Sequence, residues 1–104
     1  MPYYVYILLC DGNCLYTGYT KNLASRIKLH KKGKAARYTR THRPKGLIYV
    51  EEFESRTEAM RREKRIKKLN HLQKIRLARR QTKKSAQISA VFRTEFQPDK
   101  SPTP

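Results

Sequence analysis

Tyr3-Tyr4-Val5-Tyr6-Ile7-Leu8-Leu9-Cys10, then Asp11-Gly12-Asn13, then Cys14-Leu15-Tyr16-Thr17-Gly18-Tyr19-Thr20 is the stretch that decides the fold. Aromatic, aliphatic and β-branched residues run from Tyr3 to Leu9 and again from Leu15 to Thr20, with a strong turn signal between them. If Asp11-Gly12-Asn13 forms the loop, Cys10 lies opposite Cys14, Leu8 opposite Tyr16 and Tyr6 opposite Gly18. The strand period of two then places all of these on one face and makes Tyr6 and Tyr16 diagonal neighbours. Gly18, with no side chain, leaves room above the sheet for Tyr6 and for a ligand approaching the backbone. A loop of two residues would separate the tyrosines, and tyrosine also favours strands for packing alone.

Two helices follow whose apolar stripes carry charge. Asn22 can cap a helix over Leu23 to Lys32, with Leu23, Arg26, Ile27 and His30 in the i, i+3, i+4, i+7 positions and Gly33 as its stop. Arg26 and His30 therefore flank the buried face, whereas a merely solvated arginine would sit with Ser25, Lys28 and Lys32. The plainer alternative is that Arg26 lays its stem over the core edge and His30 is a satisfied edge residue. Ser55-Arg56-Thr57-Glu58 is a capping-box sequence for a second helix, Arg56 to Leu69, carrying Ala59, Met60, Glu63, Ile66 and Leu69. Glu63 interrupts that stripe. A carboxylate at a core edge is costly unless it is paired or holds a metal, and a salt bridge to an arginine is the plainer alternative.

The remaining elements complete one small domain. Leu47 to Phe53 alternates loosely and reads as a third strand beside the hairpin, and Asn70 with Gln73 can cap a helix over His71 to Arg80. The expected fold class is α+β, a small three-stranded antiparallel sheet covered by helices. Residues 1–80 form the domain, and residues 81–104, rich in Ser, Thr, Gln, Lys and Pro around Val91-Phe92, read as a basic, flexible tail.

Composition points to a polyanionic partner. The 104 residues hold 25 Lys and Arg against 8 Asp and Glu, a formal net charge of +17. Lys21, Lys28, Lys31, Lys32, Lys34, Arg37, Arg40 and Arg43, interleaved with Tyr38 and His42, make a surface for nucleic-acid backbone contact. Ribosome-associated and RNA-binding proteins share such charge, so composition alone does not identify an enzyme. Cys10 and Cys14 lack the partners of a zinc site and read as packing thiols. No secretory or membrane-spanning segment is visible, and the expected location is the cytoplasm.

Tyr4-Val5-Tyr6, Tyr16-Thr17-Gly18, Arg26 with His30, and Glu63 within Arg62-Glu63-Lys64, recurring in that order, resemble the GIY-YIG nuclease superfamily, and in particular its small single-domain bacterial branch. The resemblance covers roughly Pro2 to Ala78, and Gly33-Lys34-Ala35-Ala36-Arg37-Tyr38-Thr39 and Lys67-Lys68-Leu69 match that branch too. Tyr4 replaces the first Gly and Thr17 the middle Ile, common kinds of variation that leave the tyrosines, Arg26 and Glu63 in place.

The resemblance implies metal-assisted attack of water on a DNA phosphodiester. Glu63 would hold a divalent ion, Mg²⁺ or Mn²⁺, and Arg26 would clamp the nonbridging phosphate oxygens. Tyr6 or Tyr16 would orient or deprotonate the water, and His30 would relay the proton or position the phosphate. Three functions stay in view: a metal-dependent, structure-selective DNA endonuclease, a catalytically silent DNA- or RNA-binding module on the same fold, and a basic accessory protein acting through partner contacts.

Overall fold

The computed structural model describes residues 2–80 and 83–91. Strand β1 (Tyr3–Cys10) turns through Asp11–Asn13 into β2 (Cys14–Thr20). The turn works because Gly12 and Asn13 take positive φ, 77° and 59°, a region that glycine and asparagine enter at low cost. The three-residue loop sets the expected register: Cys10 faces Cys14, Leu8 faces Tyr16 and Tyr6 faces Gly18. Strand β3 (Pro44–Phe53) pairs antiparallel with the other side of β1, so the sheet order is β2-β1-β3. It starts earlier than its alternation indicates, and register shifts opposite Leu8 to Cys10 blur the period-two signal in that part. Pro44 is tolerated because β3 is an edge strand.

Helix α1 (Leu23–Lys31) begins where Asn22 Oδ1 accepts the Ser25 N–H at 3.1 Å, and ends as the chain reaches Gly33 at φ 73°. A short helix that the sequence reading does not foresee, α2 (Arg37–Thr41), follows. Helix α3 (Arg56–Lys67) is capped by Ser55, whose Oγ accepts the Glu58 N–H at 3.2 Å. Helix α4 (His71–Arg79) starts in a full capping box, Asn70 and Gln73 bonding each other's backbone N–H at 2.8 and 2.9 Å.

Helical structure also continues past Arg80, in a stretch that composition assigns to the tail. Helix α5 (Lys83–Val91) packs along β3, and Ile88 reaches the core. Its sequence, rich in Ser, Ala and Lys, carries no apolar stripe, so its docking leaves little trace in the pattern. Residues 92–104, the rest of the expected tail, lie outside the described residues.

The central strand β1 feeds two cores, one on each face of the sheet. Val5 and Ile7 pack with Tyr49, with Ala59 and Ile66 of α3, and with Ala78 of α4. Tyr6, Leu8 and Cys10 pack on the other face with Leu23 and Ile27 of α1 and with Val50. Each face is therefore covered by helix, the layered α+β arrangement that the alternation in β1 requires. Among the described residues, no helix is long and apolar enough to cross a membrane.

Candidate active site

The register that pairs Tyr6 with Gly18 builds the floor of the site. A Cβ at Gly18 would stand 2.7 Å from the Tyr6 Oη and 3.1 Å from Tyr16 Cε2, so only glycine lets both rings lie over this strand. The rings sit as diagonal neighbours with centroids 6.3 Å apart. His30, one turn beyond Ile27 on the inward side of α1, comes down between them, 5.7 Å from the Tyr6 ring and 5.0 Å from the Tyr16 ring, edge-on to both.

His30 is a fully engaged core histidine. Only 1% of it is exposed, and both ring nitrogens are hydrogen-bonded: Nε2 with the Tyr6 Oη at 2.7 Å, Nδ1 with the Thr39 Oγ1 at 2.8 Å. Burial, assisted by the nearby Arg26 charge, lowers its pKa to about 4, so the ring is neutral at neutral pH. Burial raises the Tyr6 hydroxyl far above the ordinary phenol range, with the neighbouring Tyr16 adding to that shift, Arg26 opposing it and Glu63 reinforcing it. Tyr16 is raised as well, by burial first and then by Glu63, with Arg26 again opposing.

Arg26 and Glu63 are thus both close enough to act on the two phenols, with opposite signs. They arrive from different directions. Arg26 is half-buried on α1, whereas Glu63 lies on α3 between Ala59 and Ile66, whose packing is with the opposite core. The Glu63 side chain is 16% exposed, and its ion pair is not with an arginine but with Lys67 one turn on, at 3.6 Å. Lys67 is 53% exposed, so that pair is solvent-screened and weak. Arg62 is committed elsewhere, its Nε donating to Glu51 Oε1 at 3.0 Å.

The donor set fits a hard divalent cation of one type. Among the described residues there is no cluster of three or more His, Cys, Asp or Glu that could hold a metal ion. Magnesium is commonly held by one or two carboxylates, with water and substrate phosphate completing its shell. Glu63, with one weak ion pair, is the carboxylate that could supply such a ligand.

The basic residues singled out by composition, Lys21, Lys28, Lys31, Lys32, Lys34, Arg37, Arg40 and Arg43, are all exposed, along α1, α2 and their connections. The N–H of Asp11 donates to the Arg43 carbonyl at 2.8 Å, tying this segment to the end of the hairpin. Tyr38, 37% exposed, stacks on Tyr16 at 6.1 Å and on His42 at 4.5 Å. The aromatic run His30, Tyr16, Tyr38, His42 therefore leads from the buried site to the basic surface. Thr39, buried beneath His30, receives no role from the sequence reading, since only the folded α2 brings it to the ring.

The model of the family described as the GIY-YIG catalytic domain matches residues 2–76. A UPF0213 protein of Staphylococcus haemolyticus is 52% identical over 75 residues, spanning 72% of this chain and 92% of its own. One from Clostridium perfringens is 53% identical over 74 residues, 71% of this chain and 80% of its own. The solution NMR structure of the UPF0213 protein BH0048 from Bacillus halodurans aligns over 100% of both chains with 34% identity and a TM-score of 0.48. With a family model matching residues 2–76 and a relative 52% identical over 75 residues, the chain belongs to the GIY-YIG catalytic domain family.

Proposed function

We propose that the protein is a metal-dependent endonuclease that hydrolyses DNA phosphodiester bonds, selecting its substrate by structure and working in the cytoplasm. The observation that carries this reading is the meeting of Tyr6, Tyr16 and His30 within ring contact, under the opposed fields of Arg26 and Glu63. Arg26 is the clamp for the nonbridging oxygens: its planar, permanently charged guanidinium matches a phosphate and opposes the negative charge that grows as the phosphorus is attacked. Glu63 would hold a Mg²⁺ or Mn²⁺ ion, which when bound supplies Lewis acidity at the phosphate and its leaving oxygen. Tyr6 or Tyr16 orients the attacking water and takes its proton, with neutral His30 as the next group along. The exposed lysines and arginines from Lys21 to Arg43 track the phosphate backbone, and Tyr38 offers an aromatic face to a base.

One observation favours a second reading, a catalytically silent DNA- or RNA-binding module. Burial raises both phenols, so neither is a ready base at neutral pH unless positive charge is brought beside it. A cleavage screen over duplex, nicked, branched and single-stranded DNA and matching RNA, with and without Mg²⁺ or Mn²⁺, separates the two. Metal-dependent cleavage that is lost in Glu63→Gln and in Arg26→Ala, while Glu63→Gln still binds, supports the enzyme. Tight binding without cleavage in every arm establishes the silent module, and wild-type rates in Glu63→Gln remove the metal role given to that residue.

A further inference from the structure

We infer that Thr39 is a positioning residue of this site: its hydroxyl fixes His30 as the Nδ1–H tautomer, so that the Nε2 lone pair is presented to the Tyr6 hydroxyl. The consequence for catalysis rests on the hydrolysis proposed above; the proton arrangement does not.

Thr39 Oγ1 lies 2.8 Å from His30 Nδ1 and 3.2 Å from the Ala36 carbonyl oxygen. A hydroxyl has one proton to give, and a carbonyl can only accept. The Thr39 proton therefore goes to Ala36, and Oγ1 is left to accept from Nδ1. His30, neutral because of its burial, has a single ring proton, so placing it on Nδ1 strips Nε2 to a lone pair. The Tyr6 Oη, 2.7 Å away, must then be the donor in that bond. In the reverse arrangement Thr39 would donate to Nδ1 and turn a lone pair against the Ala36 carbonyl.

The sequence sets this up locally. Ala36 is the extended N-cap of α2 and receives the Arg40 N–H at 3.1 Å on one lone pair, leaving the other for the Thr39 hydroxyl. Thr39, His30 and Tyr6 are each only 1% exposed, so bulk water does not compete for these bonds, and the water that meets Tyr6 in the reaction has to enter with the substrate. Three elements, β1, α1 and α2, are thereby linked through one imidazole.

In the proposed reaction this gives Tyr6, and not Tyr16, a built acceptor. Both nitrogens of His30 are already used, and Tyr16 meets the ring only by its edge. As the water oxygen forms its bond to phosphorus, the water proton passes to the Tyr6 Oη and the phenolic proton passes to His30 Nε2. The bond from phosphorus to the leaving oxygen breaks, and that oxygen keeps the electron pair and takes a proton from solvent. The imidazolium then returns its Nε2 proton to Tyr6, which releases its other proton to solvent. An Nε2–H tautomer has no lone pair to begin this transfer.

Nitrogen NMR of the isotopically labelled full chain at neutral pH reads the tautomer directly, whether or not a substrate is known. The expected wild-type spectrum has a protonated Nδ1 and an unprotonated Nε2 on His30; the opposite pattern overturns the inference. Thr39→Val, which removes the hydroxyl and keeps the shape, should shift or mix the tautomer and lower kcat for DNA cleavage by about tenfold to a hundredfold, at or below the low end of acid–base contributions because the tautomer is mixed and not abolished, with KM little changed. Thr39→Ser should restore both. A Thr39→Val protein with the wild-type tautomer and wild-type kcat also overturns the inference. If Thr39→Val does not fold, the wild-type spectrum decides alone. If no nucleic acid is cleaved by the wild type, the enzyme reading fails while the spectra still decide the role of Thr39.

Discussion

Two tyrosine clusters, one on each face of the same sheet, show how differently a fold can treat buried polarity. On the α3 face, the Tyr49 hydroxyl donates to Glu51 Oε1 at 2.5 Å and Arg62 Nε donates to the same oxygen at 3.0 Å. Each charge there meets its opposite and each proton has a destination, so the cluster is finished. On the α1 face, Tyr6 and Tyr16 feel Arg26 and Glu63 with opposite signs, but the ion pair of Glu63 goes to a largely exposed lysine. Burial raises the phenols of both faces. A paired carboxylate is architecture, whereas a carboxylate and a guanidinium that act on the same phenols without neutralising each other are left available to a ligand.

The largest test of that contrast is Gly18→Ala. In an ordinary strand this change removes a flexible residue and gains stability. Here the added methyl falls 2.7 Å from the Tyr6 Oη and 2.9 Å from its Cζ, so the ring must move and its bond to His30 must lengthen or break. Cleavage should fall by about a hundredfold or more, as expected when a positioned acid–base group is displaced. Stability should fall as well, measured by denaturant unfolding. A Gly18→Ala protein with wild-type rate and raised stability would dissolve the distinction between the two faces.

Acid should separate the faces next. His30 has its folded pKa lowered to about 4 from an ordinary 6.5, so below 6.5 the unfolded chain binds the extra proton first. Its neutral burial contributes stability that is fully present above about pH 6.5 and is lost as pH falls toward 4, up to about 3 kcal/mol in all. Unfolding curves at several pH values should show that decline, and His30→Gln should remove most of its slope. A flat profile in the wild type would mean that the ring is charged, or hydrated, in the folded state.

The contrast was only half legible in the sequence, for reasons that lie in particular residues. The hairpin register could be read because Asp11-Gly12-Asn13 fixes the loop and the strand period does the rest, which brings Tyr6, Tyr16 and Gly18 together without tertiary information. Arg26 and His30 could be read because helical spacing sets them beside Leu23 and Ile27. Pairing could not be read. The plainer alternative for Glu63 was a salt bridge to an arginine, yet its ion pair is with Lys67, and the adjacent Arg62 pairs with Glu51, since neighbours on a helix face different ways. Thr39 was beyond reach because α2 is five mostly polar residues with no stripe, and its one buried side chain gains meaning only when α1 lies across it. Residues 83–91 lacked a stripe in the same way, though Ile88 packs against the core.

A smaller effect sharpens the comparison from the finished side. Glu51→Gln should cost about 1 kcal/mol, a modest value because Glu51 and Arg62 are each about one-third exposed and solvent screens the pair. The Tyr49 hydroxyl, pushed up to about 12 by burial and by its bond to Glu51, should titrate nearer its ordinary value, as followed by ultraviolet absorbance. Cleavage should be unaffected. A large loss of activity in Glu51→Gln would show that the two faces work as one unit.

The smallest effect concerns a place where, among the described residues, the α3 face is unfinished. Thr17 stands opposite Ile7 in β2, is 4% exposed, and its Oγ1 is buried without a hydrogen-bond partner. An unsatisfied buried hydroxyl costs free energy that an equally shaped methyl does not, because the hydroxyl leaves water and receives nothing in return. Thr17→Val keeps the volume and the β-branching of the strand, so the change isolates that cost. It should raise stability by about 0.5–1 kcal/mol in denaturant unfolding, at the low end of the penalty for an unpaired polar group, since the lone hydroxyl can turn toward whatever weak acceptor the core offers. Strand parity turns Thr17 away from Tyr16, so cleavage should not change. A Thr17→Val protein that loses stability would mean that the hydroxyl has a partner, such as an internal water, and that this face is closed throughout.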